Sequence, residues 1–233
     1  MFTLSTQLRC WTFASADELE ELRRETREAF IKKQEDSIQD SSIFLSYEEE
    51  CQLRRYYEGK LKRFCQRFQP QMPNYVLGTA MAYFKRIYLH NSIMEPTPED
   101  FMYTCVYLAC KVEEFNLTMQ QFISNLDEDQ SREKSRILAK ELRVMEMVHY
   151  HLTVHNPYRA LEGLLIDVKT RCTDIAETEK LRPFFDQFFN KSVLTDACLL
   201  FPPSQIALAA MITSATNLGL NAALDRLVGW LSE

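Results

Sequence analysis

A chain of 233 residues can hold two domains of about 100 residues, each large enough to bury a core. Apolar residues make up 46% and charged residues 26%, which is ordinary for a globular protein. The formal net charge of −6 speaks against wholesale binding to nucleic acid or anionic membrane, since both favour basic surfaces. No apolar run reaches the roughly 18 residues of a membrane span, and the N-terminus lacks the apolar core of a signal peptide. Gly59, Gly78, Gly163, Gly219 and Gly229 are the only glycines, where average usage would give about 16. None stand close enough to cradle a phosphate, so no nucleotide cofactor is expected, and the scarcity fits a nearly all-helical chain. The cysteines (Cys10, Cys51, Cys65, Cys105, Cys110, Cys172, Cys198) are odd in number and lie mostly in helical apolar patterns. They read as reduced core thiols of a cytosolic or nuclear protein.

The first helix is predicted from Ser15 to about Lys33. Ser15 and Glu18 have capping-box spacing, and Leu19, Leu22, Thr26, Ala29 and Phe30 form one apolar stripe. Gln34 to Ser42 is polar and reads as a loop. A second capping box, Ser46 to Glu49, opens a helix with Leu53, Tyr57, Leu61, Phe64 and Phe68 on one face. Pro70 and Pro73 end it, and the next helix is expected from about Asn74 to His90. Thr97-Pro98 starts another helix, with proline at its first position.

That helix carries the sequence FMYTCVYLACKVEEF at 101–115, with no charge from Phe101 to Cys110. A helix apolar all round is enclosed by others, so this one is expected to be central. Its charged exit, Lys111, Glu113 and Glu114, is where polar groups can be presented to a partner. Thr118 and Gln121 cap a short helix to about Leu126. The last helix of the unit is predicted from about Gln130 to Tyr150, with Leu138, Leu142, Met145 and Val148 on its apolar face.

After the link 151–157, a second unit is predicted with helices at about 158–171, 178–200, 204–218 and 221–232. Superposing Pro98 on Pro203 matches Phe101 with Ile206, Lys111 with Thr216 and Glu114 with Gly219. Both units then have a proline-started apolar central helix, which suggests an internal duplication. The charged exit belongs to the first copy alone, so function is expected there.

Two five-helix units around an apolar third helix resemble the cyclin family, and LACKVEE (Leu108–Glu114) is similar to its cyclin-box motif. The runs WTF (Trp11–Phe13), FKRIYLHNSIME (Phe84–Glu95), HNPYRALEGLLIDVKTR (His155–Arg171) and LTDACLLFPPSQIALAA (Leu194–Ala210) are similar to one branch of it. That branch serves CDK-activating kinase, which is also the kinase module of the general transcription factor TFIIH.

The resemblance implies an all-α fold of two tandem cyclin folds. The expected boundaries are an N-terminal helix and linker at 1–45, a first fold at 46–152 and a second at 153–233. It implies a non-catalytic nuclear protein that binds a cyclin-dependent kinase of the CDK-activating type and holds the kinase's mobile helix in the active position. The complex would phosphorylate other such kinases and the RNA polymerase II tail. A third assembly subunit and TFIIH are the further implied partners; no cofactor, metal, direct nucleic-acid contact or membrane is expected. The family's kinase-bonding lysine and glutamate fall on Lys111 and Glu141, and its apolar kinase contacts on Leu108, Val112, Met145, Tyr150 and Leu152.

The residues themselves point the same way. Glu141 lies between Ile137 and Met145 in an apolar row, and Lys111 lies between Leu108 and Phe115. A charge in an apolar row needs a partner once that row is covered, and leaving one unpaired costs on the order of 3–5 kcal/mol. Backbone groups of a docked helix would satisfy both. The alternative is that Lys111 only complements its helix dipole, while Glu141 pairs with Lys134 or Lys140 across solvent.

Two features depart from the family. The M-R-x-x-L substrate-docking motif of cell-cycle cyclins is absent from CQLRRYYEGKL (Cys51–Leu61), and the chain stops at Glu233 after four helices of the second unit. The second fold is therefore expected to be incomplete, to expose Leu227 and Trp230, and to be the less stable unit. His149, His151 and His155 straddle a helix end without a well-spaced further ligand, and read as capping and packing groups. Arg54, Arg55, Lys60, Lys62, Arg63 and Arg67 read as a solvated face or a protein contact, with nucleic acid as the lesser reading. The alternative function classes are a TFIIB-like DNA-binding adaptor, against which the acidic charge and missing C-x-x-C speak, and a helical interaction scaffold.

Overall fold

The computed structural model describes residues 2–35, 44–126, 130–171 and 178–219. The helix expected at 221–232, Leu227, Trp230 and Cys172 lie outside the described residues, as does most of the loop expected at 34–42. Among the described residues every regular element is a helix. The chain divides into two compact units: Phe13–Val154, and Met1–Thr12 together with His155–Glu233.

The larger unit begins with α2 (Ala16–Glu35). The Ser15 hydroxyl accepts from the Glu18 N–H at 3.1 Å, and the Glu18 carboxylate accepts from Ala14 N–H at 2.7 Å. Leu19 and Arg23 turn inward, and the Thr26 hydroxyl donates to the Leu89 carbonyl at 2.8 Å. Ala29, expected on the apolar stripe, is exposed. The inward face follows Leu19, Arg23 and Thr26, because an arginine can bury its stem and still find hydrogen-bond acceptors.

Helix α3 (Tyr47–Arg67) has both halves of its capping box. Glu49 N–H donates to the Ser46 hydroxyl at 3.2 Å, and Ser46 N–H donates to Glu49 at 2.7 Å. Phe64 meets Phe68, Tyr103 and Phe122 at ring separations of 5.0–5.8 Å. Helix α4 (Asn74–Ile87) is buried at almost every position from Val76 onward. Helix α5 (Pro98–Val112) carries the uncharged run and buries Phe101, Met102, Cys105, Val106, Leu108, Ala109 and Cys110. α4 and α5 thus share the central place that the sequence assigned to the second of them. The short α6 (Met119–Ile123) opens with the expected Thr118–Gln121 capping box.

Helix α7 (Gln130–Met147) buries Glu133, Ile137, Val144 and Met147. The expected apolar face is therefore corrected: Leu138 and Leu142 stand in solvent at 47% and 55% exposure. Two apolar rows lie side by side on this helix, and periodicity alone does not tell which one packs. Arg136 pairs with buried Glu133, which lets the row containing a carboxylate be the one that goes inward.

The smaller unit contains α1 (Thr6–Trp11), α8 (Pro157–Arg171), α9 (Arg182–Ser192), α10 (Ala197–Leu200) and α11 (Pro203–Asn217). Its core is Leu161, Leu165, Val168, Leu181, Phe185, Phe189, Ile206, Ala207, Ala210 and Met211. The Gln7 side chain ties α1 to the start of α8, accepting from His155 N–H at 2.7 Å and donating to its carbonyl at 3.3 Å. The single helix predicted over 178–200 is broken into a 3-10 turn (Thr178–Leu181), α9 and α10. Pro183 fits only a helix's first turn, and the Thr195 hydroxyl donates to the Ser192 carbonyl at 2.7 Å, closing a turn between α9 and α10.

The echo between the units extends to the backbone. α5 and α11 each span 15 residues and start at a proline. Glu114 (φ 55°) and Gly219 (φ 70°) then both take the left-handed conformation, each donating its N–H to the carbonyl three residues back. Glycine does this without steric cost, whereas the first copy places a glutamate there.

Candidate functional site

The exit of α5 is a reversing turn. Phe115 N–H donates to the Cys110 carbonyl at 2.9 Å and Glu114 N–H to the Lys111 carbonyl at 3.3 Å, the paired bonds of a Schellman cap. This turn stops the apolar helix and leaves its three charged side chains near the surface. The Glu113 carboxylate accepts from the buried Thr79 hydroxyl of α4. The Lys111 ammonium lies 5.3 Å from the Tyr107 ring centroid and donates to the Glu141 carboxylate of α7.

The two residues picked out by their positions in apolar rows are thus each other's partner. Glu141 pairs with Lys111 rather than with Lys134 or Lys140 as the alternative had it. Their side chains are 15% and 50% exposed, so the pair stands at the edge of the core, open on one side. An ammonium has three donors and a carboxylate about four acceptor sites, so one mutual bond leaves capacity on both groups. The pair can accept an N–H at Glu141 and donate to a carbonyl at Lys111.

The end of α7, the helix that carries Glu141, is also a reversing turn. Tyr150 N–H donates to Met145 O and His149 N–H to Glu146 O, both at 2.8 Å, which makes a second Schellman cap. His149 (φ 54°) and Tyr150 (φ 57°) are both left-handed, a conformation that costs roughly 1–2 kcal/mol for a residue with a side chain. Helix α4 holds this strap in place: the Arg86 guanidinium donates to His151 O at 2.9 Å and the Tyr83 hydroxyl to Leu152 O. Burial pushes the Tyr83 hydroxyl far above the ordinary tyrosine range, which keeps it protonated and donating. The outcome is that Tyr150 is held out in solvent at 58% exposure.

Of the other expected contacts, Val112, Met145 and Leu152 are half-buried. Leu108, three residues before Lys111 on α5, is buried in the core at 2% exposure. Leu138, Leu142, Tyr83 and Arg86 were not among the expected site residues. For Arg86 the polar Lys85-Arg86 step in a mostly apolar helix is a sequence signal that something polar is buried there; for Tyr83 there is none.

The histidines make ring contacts. His155 meets the Phe2 ring edge-on at 5.8 Å, and His149 lies 6.1 Å from His90 and 6.2 Å from His151 between ring centroids. Among the described residues no group of three histidines, cysteines or carboxylates is placed to hold a metal ion. None of the described helices is long and apolar enough to cross a membrane.

Comparison with known proteins bears on this arrangement. Residues 25–153 match the family described as cyclin, N-terminal domain, and residues 156–229 match the cyclin C-terminal domain. Cyclin-H of Xenopus laevis is 47% identical over 229 residues, which cover 95% of this chain and 70% of the relative. Among solved structures, a chain of the CAK complex of Chaetomium thermophilum bound to ATP-gamma-S superposes with a TM-score of 0.84 at 26% identity, covering 97% of this chain and 70% of that one. A chain of the yeast TFIIK (Kin28/Ccl1/Tfb3) complex shares the fold, with a TM-score of 0.77 at 24% identity over 96% of this chain and 88% of that one. The chain belongs to the cyclin family.

Proposed function

We propose that this cyclin binds and activates a cyclin-dependent kinase of the CDK-activating type, through the face that carries Lys111, Glu141, Val112, Met145, Tyr150 and Leu152. The observation that carries this reading is the half-open Lys111–Glu141 pair, with Leu138 and Leu142 exposed on the helix that carries Glu141. A charge pair with spare bonding capacity set among apolar side chains suits the end of a docked helix. Leucines cover that helix's apolar side, while the ammonium and carboxylate meet backbone groups left open at its terminus. Activation then follows from differential affinity: to carry a kinase helix from 1:99 to 99:1 in favour of its active position, the cyclin must bind that state tighter by about 5.5 kcal/mol.

In this reading the chain is the regulatory subunit and supplies no catalytic group. It works in the nucleus within the TFIIH kinase, acting on the RNA polymerase II C-terminal domain and on other cyclin-dependent kinases. The similarity to Xenopus cyclin-H and to a chain of a CAK complex supports that assignment. A third assembly subunit is part of the proposal, as the yeast TFIIK complex has three named components. Co-purification with the kinase and a kinase assay test it. Lys111→Ala combined with Glu141→Ala is expected to weaken binding at least about tenfold and lower activation with it, and unchanged binding and activity in that double variant would overturn the assigned face.

A further inference from the structure

Helix α3 sorts its charges by side. Glu58 turns inward to Lys85 at 2.9 Å, and Glu50 turns inward to the Ser92 hydroxyl at 3.1 Å and to Arg27 at 3.6 Å. Glu48 and Glu49 stay in the first turn, where Glu49 completes the cap. Beyond that turn the outward residues are Gln52, Arg55, Tyr56, Gly59, Lys62, Arg63, Gln66 and Arg67. At 3.6 residues per turn they fall within an arc of about 140°. Glu48 and Glu49 lie on the same arc in the first turn; past that turn it holds cations and no carboxylate, on a chain whose net charge is −6. Lys60, at its border, is already matched by Glu99. Arg55, Arg63 and Arg67 make no ion pair among the described residues.

Two further features shape the surface. Tyr56 is 56% exposed and braced edge-on by Tyr57 at 5.2 Å, so a rigid apolar plate stands among the arginines. Gly59 occupies the middle of the arc, at a cost of about 1 kcal/mol relative to alanine in a helix. The Arg63 guanidinium lies back across it, 3.3 Å from where a side chain at 59 would begin. The absence of a side chain at Gly59 is what gives the Arg63 guanidinium room to lie there.

We infer that the outward face of α3 is a docking surface for an acidic, aspartate- and glutamate-rich segment of a partner protein. Charge complementarity selects the occupant. From Arg55 to Arg67 the cations are spread along about 18 Å of helix, at 1.5 Å per residue. Several separate carboxylates match that spread better than one phosphate, which would call for converging cations. A nucleic acid would bring its polyanion against the whole acidic chain, whereas a short peptide meets only this arc. Tyr56 adds an apolar contact between the charged ones.

The test uses the full chain and fluorescence anisotropy with a labelled peptide of alternating glutamate and leucine. Its glutamine counterpart, a singly phosphorylated peptide and an oligo(dT) strand serve as comparison probes. The glutamate peptide is expected to bind, its glutamine counterpart to fail, and the affinity to fall at least about tenfold when salt is raised from about 0.05 to 0.5 M. Arg55→Glu, Arg63→Glu and Arg67→Glu together are expected to weaken it by at least tenfold while kinase activation is unchanged. If that variant unfolds, the three glutamine substitutions decide by the same criterion. Failure of the glutamate peptide to bind, or equal binding to the charge-altered chain, would overturn the inference. So would tighter binding of the phosphopeptide or the oligonucleotide through the same arginines.

Discussion

Lys85 of α4 donates to Glu58 of α3 across 2.9 Å, and the two side chains keep only 1% and 3% of their surface exposed. A pair so enclosed has given up nearly all of its hydration, so removing one member strands the other. Glu58→Ala is expected to lower the unfolding free energy by about 3–5 kcal/mol, whereas Glu58→Leu with Lys85→Met stays near neutral. Urea denaturation of the three chains checks this. A double variant as unstable as the single one would mean the charges themselves stabilise the fold.

The Lys111–Glu141 pair is the opposite case. With Lys111 half exposed, it contributes about 0–1 kcal/mol to folding. Lys111→Ala with Glu141→Ala is therefore expected to leave the denaturation midpoint almost unmoved, while kinase affinity falls at least about tenfold. A stability loss as large as that of Glu58→Ala would make the pair a structural element and remove its claim to the kinase.

Opposite signs are expected at matching positions of the two units. Glu114→Gly and His149→Gly relieve left-handed residues and should each raise stability by about 1 kcal/mol. Gly219→Ala imposes the same strain and should lower it by about as much. Tyr150→Gly is expected to stabilise like His149→Gly yet weaken kinase binding. Destabilisation by all three glycine substitutions in the first unit would show that the side chains, and not the backbone, govern these caps.

Glu50 gives a pH dependence. Burial raises its carboxyl above the ordinary value of 4.5, against the opposing pull of the Ser92 hydroxyl and of Arg27 and Arg54. A raised folded-state value means that the stability Glu50 contributes is fully present below its unfolded value and is lost as pH rises through the folded one. The stability of Glu50→Gln relative to the parent should therefore rise with pH from about 4.5 toward neutrality. Denaturant titrations at several pH values read this directly; a constant difference would contradict it.

Local chemistry made much of the fold legible. The capping boxes at Ser46 and Thr118 and the proline start at Pro98 set helix beginnings within a few residues, because each satisfies backbone donors close by. The face of α7 was not legible, since rows through Ile137 and through Leu138 are both apolar and only packing chooses between them. Helix α1 has no sequence signature because six residues are too few for a periodic pattern. At the site, Lys111 and Glu141 were visible as charges within apolar rows. Their mutual bond was not, as they lie on separate helices. The roles of Tyr83 and Arg86 were hidden for a simpler reason: their acceptors are backbone carbonyls, which have the same chemistry at every position.

The hold of Tyr83 and Arg86 on the strap has a consequence for genetics. A screen for variants that lose the kinase would return these two buried residues alongside true surface contacts, although no partner can reach either one. Such hits would report the anchorage of residues 151 and 152. A thermal melt paired with the binding assay sorts them from the residues that the kinase touches.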